Sequence, residues 1–380
     1  MTTNWVYALA ALIGCALFGG LAGAGSDKQP EKYRVYLGTG KNIYHLELNT
    51  KDGSLSKPIL AAELANPSFV AIHPNNQFLY SVSEINKGSI VAYSIDSKTG
   101  NLTMLNSQSA GGGGPCHLVV DRDGKVVLAA NYGTGSCTSI PIKADGSLAE
   151  PASVHQHVGK SINPGNQQGP HAHSINMDKG NKFAFCADLG IDKVMVYRLD
   201  QGTGKLMPND PPAFDTPPGT GPRHFAFHPD GKTAFINGEI NMTLIACDYD
   251  SREGVLTRKQ VISTLPKDEA RKKGSTAEVV VHPSGTFVYV SNRDPYNSIA
   301  IFSIAPKTRE LTAVGHEARG IKTPRNFAIE PTGQFMLVAN QSGNTVISFR
   351  IDGKTGELTP TGSSVEVASP VCVRFVQLGK

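Results

Sequence analysis

The chain has 380 residues, of which 39% are hydrophobic and 18% are charged, and its formal net charge at pH 7 is +4. This length and apolar content are sufficient for a large buried core. Lys and Arg are scattered among Asp and Glu rather than gathered in a stripe, which argues against a nucleic-acid partner.

The first predicted element is an apolar leader. No Lys, Arg, Asp or Glu occurs between Met1 and Ser26, a composition typical of segments that address a membrane. The small residues around Ala22 fit cleavage of a secretory signal, Cys15 ends a lipoprotein-box-like sequence, and about 20 apolar residues also suffice for an uncleaved anchor. We expect residues 1–26 to be a signal peptide or lipoprotein signal. The protein is then exported, periplasmic or secreted, with membrane attachment through this segment or a lipid on Cys15 as open alternatives.

From residue 33 onward the sequence repeats one pattern. Each copy has two short runs rich in Val, Phe, Ile and Tyr around a Gly or Asn turn, a third run such as "KVMVYRLD", and a Leu-led run such as "TGKLMPN". Four antiparallel strands per repeat form the blade of a β-propeller, and start-to-start spacings of 46 to 56 residues are typical of such blades. The copies start at Pro67, Pro115, His171, Pro222, Thr276, Pro324 and, cut short, Pro370.

The two ends of the repeat region complement each other. The N-terminal side supplies a second, third and fourth run ("YRVYLGTG", "NIYHLEL", "DGSLSKPI") without a first, and the C-terminus supplies only a first, "VCVRFVQ". We therefore predict an all-β, seven-bladed propeller over residues 33–380, closed by pairing of the N- and C-terminal strands. The alternative, an open solenoid, needs capping repeats that the sequence does not show.

The five cysteines of the repeat region stand singly in apolar, strand-like sequence, without any CxxC motif. This pattern predicts small buried thiols rather than zinc ligands or a disulfide framework.

The repeat frame predicts where variable residues meet. In a propeller the first strand of a blade lines the channel, so the start of this strand and the end of the second share one face of the disc. Polar residues are ordinary at strand ends, but convergent charged groups in a concave mouth favour a ligand site. Three aligned positions form rings around this mouth. The ring two residues into the first strand consists of Phe69, His117, His173, His224, Glu278, Asn326 and Cys372, and the ring one residue earlier of Ser68, Cys116, Ala172, Arg223, Ala277, Arg325 and Val371. The ring at the end of the second strand consists of Thr39, Glu84, Tyr132, Asp188, Glu239, Arg293 and Gln341.

The remaining histidines lie in turn-like and loop-like sequence, and we predict no catalytic role for them. His73, His228 and His282 precede Pro in the hairpin turn of three copies, where Asp121, Met177 and Glu330 stand in others, so we predict turn residues on the far face. His155, His157 and His316 lie in loop-like sequence without an assigned role. The run "GGGG" at 111–114 is interpreted as a flexible loop, since no nucleotide-binding order of strand and helix surrounds it.

The motifs "GPHAHS", "ADLGIDKVMVY", "GPRHFAFHPDG", "INGE", "VHPSGTFVYVSNR" and "PRNFAIEPTGQFMLVANQ" resemble, in this order, the seven-bladed lactonase family. That family includes bacterial 6-phosphogluconolactonases of the propeller type and fungal carboxy-cis,cis-muconate cyclases. Motif by motif, the resemblance implies an active site of His173, Arg223, Glu239 and Arg293. The ring positions and the motifs add these predicted substrate-binding residues: His171, His224, Asp188, Glu278, Arg325 and Gln341. The family's phosphogluconolactonases serve a cytosolic sugar phosphate, so an export signal points to a different natural lactone.

These observations lead us to expect a monomeric hydrolase that opens a small-molecule sugar or sugar-phosphate lactone, without metal or cofactor. His173, or Glu239 if its surroundings raise its pKa, takes a proton from water, and Arg223 and Arg293 stabilise the developing oxyanion. No Gly-x-Ser-x-Gly motif supports an acyl-enzyme. Two alternatives stay open: cyclisation of a muconate at the same residues, and an exported propeller that binds a ligand without catalysis.

Overall fold

The computed structural model describes residues 31–267, 269 and 273–378, and they form seven antiparallel sheets of four strands. The innermost strands, which start at residues 70, 115, 172, 222, 276, 324 and 370, contact one another in this order, and the last contacts the first to close a ring. The sheets are therefore blades around a central channel, and the predicted all-β, seven-bladed propeller is confirmed. The apolar leader lies outside the described residues.

The strands follow the chain blade by blade, with the copies starting at 67, 115, 171, 222, 276 and 324 forming blades 2 to 7. Blade 1 is built from both ends and contains β28 (Pro370–Gln377), β1 (Lys32–Thr39), β2 (Asn42–Asn49) and β3 (Ile59–Glu63). Blade 2 contains β4 (Val70–Ile72), β5 (Phe78–Ser83), β6 (Ser89–Ile95) and β7 (Leu102–Ser109). Blade 3 contains β8 (Pro115–Val120), β9 (Val126–Asn131), β10 (Ser136–Pro141) and β11 (Ser153–Gln156). Blade 4 contains β12 (Ala172–Met177), β13 (Phe183–Asp188), β14 (Lys193–Asp200) and β15 (Lys205–Asp215). Blade 5 contains β16 (Pro222–Phe227), β17 (Thr233–Gly238), β18 (Thr243–Asp250) and β19 (Val255–Ser263). Blade 6 contains β20 (Thr276–Val281), β21 (Phe287–Asn292), β22 (Ser298–Ile304) and β23 (Leu311–Glu317). Blade 7 contains β24 (Pro324–Ile329), β25 (Phe335–Asn340), β26 (Thr345–Ile351) and β27 (Leu358–Glu366).

Burial explains the two kinds of sequence run within each blade. The second strands of blades 3 to 7, such as Phe183–Asp188, are buried at every position because neighbouring blades cover both of their faces. The fourth strands, such as Leu358–Glu366, mostly alternate between exposed and half-buried positions, since they form the rim of the disc. The core thus consists of blade-to-blade contacts, as where Phe185 of blade 4 stacks on Phe225 of blade 5 with ring centroids 5.2 Å apart.

The ring closes as predicted through the two ends of the described chain. Strand β28 pairs antiparallel with β1, from Tyr33 opposite Gln377 to Gly38 opposite Cys372. Since each end supplies strands that the other lacks, blade 1 completes the circle without an open sheet edge between the termini.

The histidines that precede proline connect neighbouring blades at their hairpin turns. His228 Nε2 donates to Gly285 O of the next blade at 2.8 Å, and its Nδ1 accepts from Asp230 N at 3.0 Å. His282 Nε2 bonds to Gly333 O in the same way, also at 2.8 Å. These histidines therefore hold blades together on the face opposite the predicted mouth.

Within the described part of the chain, no helix is both long and apolar enough to span a bilayer.

Candidate active site

Backbone pairing shifts the third sequence copy by one residue relative to the predicted alignment. Strand β12 starts at Ala172, which pairs with Asp188, just as Pro222 pairs with Gly238 at the start of β16. His173 is therefore the equivalent of Arg223, and Ser174 is the equivalent of His224. The sequence alignment was wrong at this copy, and the correction moves His173 one step nearer the mouth.

The same shift changes the ring at the end of the second strands. Leu189 N donates to His171 O, and Glu239 N donates to Gly221 O, so Leu189 and Glu239 occupy the same position in their blades. Asp188 is one residue earlier and fully buried. Its Oδ1 accepts the N–H groups of His171 at 2.7 Å and Gly190 at 3.0 Å, and its Oδ2 lies 2.6 Å from His157 Nδ1. These bonds give Asp188 a structural role in holding the entry of β12, while substrate contact by Asp188 stays a prediction.

Irregular pairing at the start of the first strands directs side chains to the mouth. The register shifts between Ala172 and Ser174, between Pro222 and Phe225, and between Pro324 and Asn326. Such bulges re-aim side chains and are common beside active sites. They fall at His173, Arg223 and Arg325.

One carboxylate joins two blades at this mouth. Glu239 Oε1 lies 2.9 Å from Arg293 Nη2, and Glu239 Oε2 lies 3.0 Å from Arg223 Nε. Arg223 Nη1 donates to Oε2 at 3.5 Å, whereas the N–H of its Nε is not aimed at the oxygen and has no hydrogen-bond partner. Arg293 Nε is also a buried donor without a partner, although Arg293 Nη2 donates to Thr276 O at 3.1 Å. Two guanidinium groups therefore retain unused donors around one carboxylate.

The arginines determine the charge state of this carboxylate. Burial alone would raise the pKa of Glu239, but the adjacent Arg223 and Arg293 lower it below its ordinary value. Burial lowers the pKa of Arg223 to about 10, partly offset by Glu239, so this guanidinium keeps its charge at neutral pH. Glu239 is thus an anion at neutral pH and does not have the raised pKa that a general base of this type requires.

His173 lies next to the arginines as a neutral imidazole. Burial, followed by the charges of Arg223, His224 and Arg325, lowers the pKa of His173 well below its ordinary value. Its Nδ1 lies 3.8 Å from Cys116 Sγ. Among the described residues no hydrogen bond engages Nε2, so this nitrogen is available to a water or a ligand.

Tyr132 lines the mouth beside His173. Its ring centroid lies 5.3 Å from that of His173 and 4.6 Å from that of His171, on which it stacks. His171 Nδ1 also bonds to Tyr132 O at 3.0 Å. The predicted binding residue His171 is therefore fixed at the edge of the site by Tyr132, which the sequence analysis placed in a ring without giving it a role.

Arg325 is a half-buried cation without a carboxylate partner among the described residues. Its charge contributes to lowering the pKa of both His173 and Glu239, which places it near them. Gln341 follows β25 and is partly exposed, with its backbone N–H donating to Thr323 O at 3.0 Å. Three arginines against two glutamates, Glu239 and Glu84, leave the mouth with a net positive charge, which suits an anionic ligand.

A layer of buried side chains closes the channel beneath the mouth. Phe69 of blade 2 packs against His117 of blade 3 with ring centroids 4.2 Å apart and against His224 of blade 5 at 5.9 Å, so residues from opposite sides of the ring meet. His224 Nδ1 lies 2.8 Å from Glu278 Oε1, and Asn326 donates to the other oxygen of Glu278. The predicted binding residues His224 and Glu278 therefore belong to this closing layer rather than to the mouth itself.

Two cavities lie on either side of the closing layer. A cavity of about 430 Å³ shares Glu239 with the arginine cluster and is otherwise lined by loop residues such as Asn163 and Lys273. A second one, of about 370 Å³, is lined by His117, His224 and Glu278 and by Arg374 further along the channel. The loop residues of the first cavity have no counterpart in the repeat, so no signal in the sequence analysis marked them.

The arrangement suits hydrolysis of an ester. An uncharged imidazole can accept a proton from water, and unengaged guanidinium N–H groups can stabilise an oxyanion or hold an anionic group. The structure thus brings His173, Arg223, Glu239, Arg293 and Arg325 to one mouth, with His171 at its edge.

Known proteins share this fold and much of this sequence. The family model described as "Lactonase, 7-bladed beta-propeller" matches residues 25–375. The 6-phosphogluconolactonase of Bacillus subtilis (strain 168) is 38% identical over 351 residues, covering 91% of this chain and 99% of that protein. The 6-phosphogluconolactonase of Formosa agariphila is 34% identical over 341 residues, covering 88% of this chain and 93% of that protein. The solved structure of a periplasmic gluconolactonase from Pseudomonas aeruginosa is 30% identical with a TM-score of 0.87, covering 92% of this chain and all of that one.

Proposed function

This chain belongs to the family of seven-bladed β-propeller lactonases, and we propose that it opens a sugar or sugar-phosphate lactone, such as 6-phosphogluconolactone, to the hydroxy acid. The observation that carries the proposal is the Arg223–Glu239–Arg293 cluster beside a neutral His173 at one mouth of the channel. The relatives described as 6-phosphogluconolactonases support this class of substrate.

The reaction follows from the charges at the mouth. His173 Nε2 takes a proton from water as the water oxygen attacks the lactone carbonyl carbon. The negative charge that develops on the carbonyl oxygen is stabilised by the positive charges of Arg223 and Arg293, which meet at Glu239. Collapse of the tetrahedral intermediate breaks the ring C–O bond, and the proton on His173 passes to the leaving oxygen.

Glu239 acts in this scheme as a positioning residue rather than as the base. Its two oxygens contact Arg223 and Arg293 of two different blades, so it fixes the distance between the two guanidinium groups. Both oxygens are thereby occupied by cations, and the pKa of Glu239 is lowered rather than raised. The option of a glutamate base with a raised pKa therefore has no support from its surroundings.

Arg325 is the group we assign to the anionic part of the substrate. It is half-buried, close to His173, and free of any described carboxylate partner. A guanidinium group binds phosphate or carboxylate through two parallel hydrogen bonds. With the positive charges supplied by arginines, the scheme requires no metal at the reacting carbonyl.

We also propose that the protein is exported. The uncharged leader of residues 1–26 motivates this localisation, and the periplasmic gluconolactonase of Pseudomonas aeruginosa shows the same fold in that compartment. Labelling with a radioactive fatty acid tests whether Cys15 carries a lipid, and Cys15→Ser is the control.

A turnover assay tests the proposed reaction. The purified protein is given 6-phosphogluconolactone, glucono-1,5-lactone and a carboxymuconate, with and without chelator, and uncatalysed hydrolysis is subtracted. We expect hydrolysis of a lactone that survives chelator and falls about 100-fold or more in Arg223→Ala and Glu239→Gln. Arg309→Ala, which breaks another ion pair to Asp230 at 3.0 Å away from the mouth, is the matched control.

Three outcomes contradict the proposal in different ways. Loss of activity to chelator with the fold intact contradicts the metal-free scheme. Conversion of the muconate alone favours a cyclase. No turnover of any compound favours a propeller that binds without catalysis.

A further inference from the structure

Two cysteines and a histidine from neighbouring blades converge in the core, away from the cavities described above. Their potential ligand atoms, from Cys137 on β10, His157 just after β11 and Cys186 on β13, all lie within 4.8 Å of one another. Both cysteines are fully buried, and His157 is 3% exposed. The cluster therefore joins blade 3 to blade 4 inside the protein.

The imidazole of this cluster is already oriented as in metal sites. His157 Nδ1 lies 2.6 Å from Asp188 Oδ2, so Nδ1–H donates to the carboxylate, and Nε2, which bonds to Tyr197 Oη, is the nitrogen able to bind a metal. Histidine ligands of metals usually donate their other ring N–H to a carboxylate or carbonyl in this way. Tyr197 Oη, 3.0 Å from Nε2, is placed as a fourth donor.

The donor set and the available space indicate which ion fits. Two sulfurs and one imidazole nitrogen suit a soft or borderline cation with tetrahedral geometry, above all Zn²⁺. Bonds of about 2.3 Å to sulfur and about 2.0 Å to nitrogen place neighbouring ligand atoms roughly 3.5 to 3.8 Å apart. Ligand atoms within 4.8 Å of one another need only a small contraction to reach that spacing.

The surroundings suit a structural site rather than a catalytic one. Apolar side chains such as Leu128, Ala130 and Ala184 pack around the two cysteines. Each thiol loses its proton to water as its sulfur binds, so two thiolates neutralise a divalent cation within this apolar core. With every ligand buried, the ion has to bind as the blades come together.

We propose that Cys137, His157 and Cys186 form a structural zinc site that fastens blade 3 to blade 4, with Asp188 orienting the histidine. The site is independent of the lactonase reaction. It departs from the expectation that these cysteines are isolated thiols, because residues far apart in sequence meet across two blades.

Metal analysis of the full chain tests the site. The protein is produced in zinc-supplemented medium, and a second sample is unfolded in denaturant with chelator and refolded with Zn²⁺ or Co²⁺. We expect one zinc per chain, and in the cobalt form a near-ultraviolet band from thiolate-to-cobalt charge transfer together with visible bands of tetrahedral cobalt. Cys137→Ala and Cys186→Ala are expected to lose the metal and the cobalt bands.

Cys247→Ala is the matched control, since Cys247 is a fully buried strand cysteine outside the cluster. It should keep the full zinc content. Circular dichroism of each variant shows whether metal was lost with the fold intact. Absence of zinc from folded wild-type protein together with no uptake on refolding overturns the proposal, as does a mass of the metal-free chain that reveals a Cys137–Cys186 disulfide. Equal zinc content in wild type and a folded Cys137→Ala variant also overturns it.

Discussion

At the scale of single residues, the mouth shows how position within a blade controls ionisation. His173 and Glu239 are both titratable and both near arginines, and in each case the cations lower the pKa. The lowered pKa leaves both groups unprotonated at neutral pH and weakens both as bases. Both oxygens of Glu239 are held by guanidinium groups, whereas Nε2 of His173 bonds to no described residue. The assignment of the base to His173 depends on this difference.

The pH dependence of hydrolysis should reveal the neutral histidine. Because its folded pKa lies below the ordinary value of about 6.5, His173 stays unprotonated as the pH falls through that value. We expect kcat/KM to be constant from about pH 8 to 6.5 and to fall only at lower pH. In Arg325→Gln, which removes one of the cations that lower this pKa, the fall should begin at a higher pH. A wild-type acid limb centred at or above 6.5 would contradict the assignment.

Arg325 should discriminate between charged and uncharged lactones. A charge-assisted hydrogen bond contributes about 1.5 to 3 kcal/mol, so Arg325→Gln should raise KM for 6-phosphogluconolactone roughly 10- to 100-fold. The KM for glucono-1,5-lactone, which carries no phosphate, should change much less. Steady-state kinetics with both substrates measure the difference, and Arg350→Gln, at an exposed position of β26 in blade 7, serves as control. An equal effect on the two substrates would mean that Arg325 does not bind the phosphate.

At the scale of elements, the hairpin turn is a joint between blades. His228 is buried in the turn between β16 and β17 and donates to Gly285 O in the equivalent turn of the next blade. Gly285 has a φ of +74°, a backbone conformation that favours glycine. A Cβ at Gly285 would lie 2.6 Å from His228 Nε2, so the two residues fit only as a pair.

Removing this joint should destabilise the protein without affecting catalysis. His228→Ala leaves Gly285 O without its donor, and we expect a loss of about 1 to 3 kcal/mol in the free energy of unfolding. Urea denaturation measures the loss, and Lys232→Ala, an exposed neighbour in the same turn, should have almost no effect. Loss of turnover in the His228 variant at unchanged stability would contradict its role as a turn residue.

The sequence predicts these elements well wherever the turn residue is typical. Six copies showed a turn and alternating apolar runs, and the strands lie where those runs are. The copy at His171 was aligned one residue early because Met177 was matched to the turn histidines. In the structure the turn residue is Asp178, whose Oδ1 accepts the N–H groups of Lys182 and Phe183. Asp121 accepts from Lys125 and Val126 in the same way, so matching the two aspartates would have corrected the register.

Contacts between blades are the part that the repeat pattern could not predict. The pattern identifies equivalent positions, but not which side chains of different blades come within bonding distance. The lowered pKa of Glu239 depends on an arginine from the next blade, and the Cys137–His157–Cys186 cluster depends on a histidine in a loop with no repeat equivalent. Neither contact follows from the repeat pattern alone.

At the scale of the whole molecule, closure depends on a single pair of strands. Strand β28 is the innermost strand of blade 1, and it packs beside β24 and β4 on either side. Since the ends of the described chain meet in this pair, their location should matter less than the completeness of the ring.

Two variants separate the effect of where the chain ends lie from the effect of an incomplete ring. Deletion of residues 370–380 removes β28, so we expect loss of the cooperative unfolding transition and of activity. A circular permutant that joins residue 378 to residue 31 through a short Gly-Ser linker and opens the exposed turn at Lys354 retains all strand pairs. It should unfold cooperatively and keep turnover near that of the unpermuted chain. Thermal denaturation and activity provide the comparison, and a deletion variant with a wild-type transition would show that β28 is dispensable.

The packed layer of Phe69, His117 and His224 has a kinetic consequence. Because these rings meet across the channel, we expect the hydroxy acid to leave by the same mouth through which the lactone arrives. Its carboxylate then departs past the guanidinium groups that attracted the substrate, so accumulated acid should compete with fresh lactone, and its escape sets an upper limit on the turnover rate.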